Sequence, residues 1–351
     1  MKILVTGIAG FIAARTTEIL LEQGHDIVGV DNLNDYYDIR LKTYRLQQLA
    51  RKAHAASSIV EALDPACGSA AVYAGPIAFS ADRLAFHRID IEDPVALREL
   101  FRQQRFDAVL NLAARAGVRY SMIDPAVYMT TNAMGTLHLM DAMREAGCSK
   151  MVLASTSSLY AGQTMPFHED LAVNTPISPY AASKKAAEML AYSYHYLYGL
   201  DISVVRYFTV FGPAGRPDMS IFRFIKWIDE GAPIELFGDG SQSRDFTYVD
   251  DIALGTIAAL KPLGYEVVNL GGGQNPISMN QVIAFIEDAL GKRARIDHKP
   301  FHKADIKETW ADIAKAGRLL DWRPRTPPYQ GFQRSVDWYQ THRSWLKDIE
   351  L

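Results

Sequence analysis

Residues 2–13, KILVTGIAGFIA, narrow the fold more than any other part of the chain. A short apolar strand over 2–6 runs directly into a turn with Gly7 and Gly10, and then into an amphipathic segment over 11–23 that stops at Gly24. Gly7 permits a tight turn between strand and helix. Gly10 lets the helix N-terminus come close to a bound anion, whose charge the free N–H groups of the first turn favour. Ala13 takes a third position, where close helix–strand packing asks for a small side chain. A glycine cluster alone also fits a plain turn between two core elements, so the following strand decides.

That strand, over 26–30, ends on Asp31, 24 residues after Gly7. A carboxylate there accepts hydrogen bonds from both hydroxyls of an adenosine ribose and repels a 2′-phosphate, which favours NAD over NADP. Phe11, Ile12 and Asn32 complete the expected cofactor end. Asp90 and Ile91, after the next strand, are placed to bracket the adenine. Leu112, Ala113 and Ala114 supply small residues where backbone must pass close to the nicotinamide half.

Further strands read over 86–89, 108–112, 151–154 and 202–206, with helical segments between most of them. This order predicts an α/β fold, a Rossmann-type doubly wound parallel sheet. From Gly212 onward proline and glycine punctuate shorter elements. The expected division is an NAD-binding domain over 1–211 and a smaller α/β portion over 212–351 that binds substrate and returns in part to the first domain. Residues 51–80, rich in alanine and serine, read as an insertion whose role is not legible.

The chain is 48% hydrophobic, enough for a sizeable core, and its net charge of −3 with mixed signs argues against nucleic acid as a partner. No apolar run reaches membrane-spanning length. The apolar opening run is broken by glycine and reads as a strand rather than a leader. Cys67 and Cys148 lack metal-ligand spacing, which predicts reduced thiols in a cytoplasmic protein. His25, His87 and His298 form no metal-type group, and no metal is expected.

In SPYAASKKAAE, over 178–188, Tyr180 and Lys184 lie four apart and so share a helix face. By itself the pair is compatible with a half-buried tyrosine beside a solvated lysine.

Taken together, these features resemble the extended short-chain dehydrogenase/reductases, in the nucleotide-sugar epimerase and dehydratase group. DNLNDYYD (31–38), LAARAGVRYS (112–121) and RYFTVFGPAGRPDM (206–219) are similar to its UDP-glucuronate 4-epimerase branch. SQSRDFTYVDDIA (241–253) and ADIKETWADIAKA (304–316) are similar to the nucleotide-binding segments of the wider family. The resemblance implies that Lys184 binds the nicotinamide ribose and that Tyr180 exchanges a proton with a sugar hydroxyl. A phenol with a pKa of ~10 is a poor base, and a nearby ammonium and the positive nicotinamide both favour phenolate. Tyr207 and Phe208 are expected to pack near the carboxamide.

Thr156 is implied as a substrate-hydroxyl contact, with Ser157 and Ser158 beside it. Dehydratases of the family carry Asp-Glu at the latter two positions, and decarboxylating relatives carry Glu at the second. Only hydroxyls stand here, which leaves oxidation and re-reduction at one carbon. The expected reaction is 4-epimerisation of a UDP-sugar, UDP-glucuronate to UDP-galacturonate. Hydride leaves C4, the 4-keto sugar turns over, and hydride returns to its other face. Thr209 stands where epimerases of neutral hexoses have Asn. Arg216 is a candidate for the carboxylate or diphosphate, Arg244 for the diphosphate, and Asp305 for the nucleotide ribose. A neutral UDP-hexose epimerase (UDP-glucose/UDP-galactose), a non-catalytic NAD-bound sensor and a simple dehydrogenase are the competing readings. Arg115 and Ala161 depart from the branch, which has an uncharged residue and a glycine there; Leu159 and the insertion also differ. The family's pairing through two long helices implies a homodimer, through residues 131–146 and 181–198 here.

Overall fold

The computed structural model describes residues 1–67, 78–273, 276–301 and 305–351. The middle of the insertion, 68–77, and Ala304 of the 304–316 stretch lie outside the described residues. In chain order the strands of the first half are β1 (Lys2–Thr6), β2 (Asp26–Val30), β3 (Ala78–Ala81), β4 (Leu84–His87), β5 (Ala108–Asn111), β6 (Lys150–Thr156) and β7 (Asp201–Tyr207). The second half adds β8 (Thr209–Phe211), β9 (Pro233–Phe237), β10 (Ser243–Arg244), β11 (Phe246–Tyr248), β12 (Tyr265–Leu270), β13 (Ile277–Ser278) and β14 (Arg295–Lys299).

One eight-stranded sheet runs β12-β7-β6-β5-β1-β2-β4-β3, parallel throughout except where β3 pairs antiparallel with β4 at the edge. Strands β5 and β6 are buried along their whole length. Continuous apolar runs with both faces covered are what a parallel sheet between helix layers requires. The order reverses at β1: the chain goes to β2 and β4 on one side and to β5, β6 and β7 on the other. A crevice therefore opens beyond the carboxyl ends of β1 and β5, where such sheets take ligands. Strand β12, from the second half, pairs with β7 and extends the sheet.

The described ends of the insertion are built into this frame. Helix Ile39–Lys52 runs into it, Ser57–Ala62 follows, and β3 closes the sheet edge against β4. The long helix was hidden in the sequence because its inward face carries Lys42 and Arg45 among Leu41, Leu46 and Leu49, all buried.

Helix Pro179–Tyr198 follows from local signals. The Ser178 side chain accepts from the Ala181 amide at 3.2 Å, Pro179 opens the first turn, and Gly199 closes the helix in a left-handed conformation. Tyr180 and Lys184 thus occupy its first turns. The helix expected over 131–146 starts earlier, at Pro125 under an Asp124 cap. It passes through a π turn over Met129–Met134 before Gly135–Ala146.

Helices Ser220–Glu230, Met279–Leu290 and Pro328–Thr341 form a second apolar core with strand β9, on which β14 pairs in parallel. Phe332 is its centre, 4.6 Å from the Phe211 ring and edge-on to Phe246 at 5.4 Å. The pair β8–β11 ties this core to the end of β7. A cleft of about 1310 Å³ lies between the two cores and above the reversal point of the sheet.

Candidate active site

Every candidate site residue read from the sequence lines this cleft. At its β1 end Gly7 has φ +67°, and a Cβ there would lie 2.7 Å from the Ala113 Cα. A Cβ on Gly10 would lie 2.8 Å from the Gly7 carbonyl oxygen, which accepts the Gly10 N–H at 2.7 Å. Both glycines are therefore demanded by the turn itself. The helix beginning at Phe11 has neither a side-chain cap nor an acid in its first turn, so the amides around Phe11 and Ile12 face the cleft unneutralised. The Thr6 hydroxyl accepts from the amides of Leu112 at 3.1 Å and Ala113 at 3.0 Å and donates to Asn111. It holds the 112–114 segment against the turn, with Ala114 next in line.

Asp31 is buried at the end of β2. One oxygen accepts from the Ala9 amide at 3.2 Å and the other from Leu33 at 2.8 Å, with Lys42 at 3.7 Å. Each oxygen retains capacity for a further donor. Asn32 donates to Asp90 at 2.7 Å, so the ends of β2 and β4 are linked, with Ile91 alongside. A turn with no room for a Cβ, an uncapped helix start and a carboxylate at the second strand fit a dinucleotide such as NAD.

Lys184 is buried and donates to the Ala154 carbonyl at 2.9 Å. Burial lowers its pKa to about 8, opposed by the Glu188 carboxylate one turn on. Glu188 is held by the Arg206 guanidinium at 2.9 and 2.8 Å and by the Ser155 hydroxyl at 2.6 Å. Burial also raises the Tyr180 phenol above its ordinary value, opposed by a hydrogen bond with Thr156 and by the positive charge of Arg216. The sequence reading looked to Lys184 and the nicotinamide for such charge; the folded chain adds Arg216 as a further source.

Thr156 ends β6, and Ser157–Tyr160 forms a 3₁₀ turn. The Thr156 hydroxyl accepts the Ser158 amide at 3.1 Å and lies 3.1 Å from the Ser158 hydroxyl. Thr209 opens β8 and lines the same end of the cleft. Tyr207 lines the cleft too, while its hydroxyl reaches Thr256 at 2.8 Å.

Arg216 forms a two-pronged pair with Asp218, 3.0 Å at Nε. Arg244 donates to the carbonyls of Ser243 at 2.8 Å and Lys307 at 3.3 Å. Asp305 pairs with Arg119 at 2.6 Å, and the Arg119 guanidinium lies 3.6 Å from the centre of the Phe237 ring. Sequence reasoning missed Arg119, although it lies in the quoted 112–121 stretch, because its partners come from distant segments. It also missed Arg45. That buried guanidinium donates to the Ala9 carbonyl at 3.0 Å, the Ala214 carbonyl at 3.0 and 2.7 Å and the Tyr37 hydroxyl at 2.6 Å. It bolts the glycine turn to the loop that carries Arg216. From sequence it is one more basic residue on an amphipathic helix.

Residues 3–271 match the family described as NAD-dependent epimerase/dehydratase. A UDP-glucuronate 4-epimerase of Thermodesulfobacterium geofontis is 54% identical over 348 residues, 99% of each chain. The crystal structure of a UDP-glucuronic acid 4-epimerase from Bacillus cereus, in complex with UDP-glucuronic acid and NAD, aligns with a TM-score of 0.84 at 35% identity. It covers 97% of this chain and 100% of that one. A UDP-glucose 4-epimerase from Thermotoga maritima, with UDP-glucose, aligns at 0.81 and 27% identity over 98% and 100% of the two chains.

Proposed function

The chain belongs to the NAD-dependent epimerase/dehydratase family, and from that premise we propose that it interconverts UDP-glucuronate and UDP-galacturonate by inverting C4 of the sugar. The observation that carries this reading is the hydroxyl-only turn at Thr156, Ser157 and Ser158, set beside Tyr180 and Thr209 with no acid among them. A second proton donor or acceptor, which loss of water from a neighbouring carbon requires, is not supplied there.

Residues 1–211 hold the cofactor in this scheme, and 212–351 mainly the nucleotide sugar. The amides around Gly10, Phe11 and Ile12, behind the turn at Gly7, take the pyrophosphate. Asp31 and Asn32 take the adenosine ribose, Asp90 and Ile91 flank the adenine, and Leu112, Ala113, Ala114 and Tyr207 border the nicotinamide half. Bound NAD supplies an acceptor for the C4 hydride and gives it back. Lys184 holds the nicotinamide ribose as a buried ammonium. Tyr180 takes the C4 hydroxyl proton onto its phenolic oxygen and returns it when the opposite face is reduced.

Thr156, Ser157, Ser158 and Thr209 orient the sugar and hold its carboxylate out of the perpendicular alignment that would release CO₂ from the 4-keto intermediate. Arg216 serves the carboxylate end and the Tyr180 phenol. Arg244 serves the diphosphate as a guanidinium fork, and Asp305, held by Arg119, the nucleotide ribose. The working unit is a homodimer in the cytoplasm, consistent with exposed apolar residues on helix Pro179–Tyr198 and with the buried free thiol of Cys148.

The test is incubation of the purified protein with UDP-glucuronate, with the product identified by NMR and mass spectrometry. UDP-galacturonate of unchanged mass is expected, and Tyr180→Phe should lower kcat by about 10²- to 10⁴-fold. No epimer, or faster turnover of UDP-glucose, overturns the reading.

A further inference from the structure

Arg115 is a second guanidinium at the reacting end of the cleft, and the scheme above leaves it unused. Its Nε is buried without a hydrogen-bond partner, and among the described residues the ion pairs at this end of the cleft are those of Arg119 with Asp305 and Arg216 with Asp218, neither of them Arg115's. The neighbouring Arg216 is by contrast occupied by Asp218. Both guanidiniums face the Tyr36 ring, Arg115 at 5.7 Å and Arg216 at 5.8 Å.

The placement of Arg115 is fixed from the catalytic helix. Asn132 clamps its backbone on both sides, accepting its N–H and donating to its carbonyl, each at 2.9 Å. Asn132 also donates to the Ser183 hydroxyl at 2.9 Å, and Ser183 donates to the Tyr180 carbonyl at 2.8 Å. A chain of short hydrogen bonds thus ties the Arg115 backbone to the residue that handles the C4 proton. Tyr36 itself is pinned through its hydroxyl to the Ala116 carbonyl and lies 3.3 Å from the Tyr128 hydroxyl.

Arg115 is half-buried, with its Nε cut off from solvent and unpaired, and a partly desolvated guanidinium with no counter-ion gains when an anion arrives. We propose that in this chain Arg115 is a specificity-determining residue for the C6 carboxylate of the sugar: beside the hydroxyls that orient the carboxylate it adds an unneutralised positive charge that favours a uronate over a neutral hexose. Arg216, already paired, contributes field and shape; Arg115 contributes the net charge. This rests on the uronate reading given above.

The test compares Arg115→Gln and Arg115→Lys with the unaltered protein, all carrying bound NAD. Affinities for UDP-glucuronate, UDP-glucose and UDP are measured by calorimetry, and NAD retention after gel filtration by absorbance. Removing one charge-assisted contact predicts about tenfold or more weaker UDP-glucuronate binding in Arg115→Gln, and partial recovery in Arg115→Lys. Affinity for UDP-glucose and UDP should change less than about twofold, and NAD retention should hold, since neither involves the carboxylate.

Equal weakening for UDP would assign Arg115 to the diphosphate, loss of NAD would assign it to the cofactor, and no change would leave it without a ligand. Each of these overturns the proposal. Binding is read separately from turnover. A protein that prefers UDP-glucuronate through Arg115 yet forms no epimer would refute the proposed reaction while leaving this assignment standing.

Discussion

Tyr180 has to give up a proton near neutral pH, yet burial pushes its phenol above the ordinary value and only Thr156 and the Arg216 charge work against that. In the cofactor-free protein Tyr180 should therefore stay protonated past the pH at which exposed tyrosines ionise. Arg216→Gln should raise its titration further and lower kcat; ¹³C-tyrosine NMR across a pH series checks the first, and a Tyr180 signal unmoved by Arg216→Gln would remove Arg216 from the account. Lys184 runs the other way. With a folded pKa of about 8 it loses its proton while the unfolded chain, near 10.4, keeps it. Below about 8 both states are charged and this group adds no slope. Between about 8 and 10.4 the unfolded state binds more protons, so its contribution makes stability rise with pH. Urea melts of cofactor-free protein should show that rise, and Lys184→Met should abolish it. At Ser158, replacement by Ala should increase a decarboxylated by-product from UDP-glucuronate, read by mass spectrometry; unchanged product ratios would clear the 156–158 turn of that duty. Much of the cleft lining was legible because it belongs to local patterns: Gly7 with Gly10, Asp31 at a strand end, Tyr180 four before Lys184. Arg45 and Arg119 were not, since what they touch comes from segments far along the chain.

At the scale of elements, helix Pro179–Tyr198 is fixed to the sheet by a buried ion pair rather than by apolar contact alone. Glu188 and Arg206 are both buried, and Arg206 reaches on to the Tyr160 hydroxyl at 2.8 Å, which donates to Asn269 on β12 at 2.8 Å. One network joins the catalytic helix, β7, the turn after β6 and the edge strand. Deleting one partner leaves a buried charge unanswered, so Arg206→Leu should cost about 3–5 kcal/mol in a urea melt. Glu188→Gln should cost stability as well and let the Lys184 pKa fall below about 8, since the carboxylate now supports the ammonium. A Lys184 titration unchanged in Glu188→Gln would show that this network does not reach the active site. The parallel strands were readable because burial on both faces writes them as unbroken apolar runs. Helix Ile39–Lys52 and edge strand β3 were not, for opposite reasons: the helix buries charged residues, and β3 exposes much of its length, with burial confined to its second residue.

At the scale of the whole molecule the unanswered surface is apolar. Met189, Tyr192 and Tyr196 on helix Pro179–Tyr198 are 60%, 54% and 77% exposed, at a spacing that puts them on one face. Ile123 at 77%, with Met122, Met129 and Met134 exposed as well, continues apolar surface onto the segment leading into helix Gly135–Ala146, which packs on the first helix. From sequence a stripe of tyrosine and leucine reads equally as core; exposure makes it a surface in want of a partner, and contiguous apolar surface of this kind marks association. A second copy of the chain presenting the same two helices would cover it symmetrically. Met189→Glu with Tyr196→Glu should then give a monomer in sedimentation velocity, with circular dichroism unchanged, while the unaltered chain should sediment as a dimer. The consequence extends inward, because the helix carrying this face begins with Tyr180 and Lys184. A partner that stiffens its outer side also steadies the two groups at its start, so the monomeric variant should lose kcat more than it loses affinity for UDP. An unaltered chain that sediments as a monomer at micromolar concentration would rule the dimer out; a monomeric variant with full kcat would confine the interface to assembly, without a hand in the chemistry.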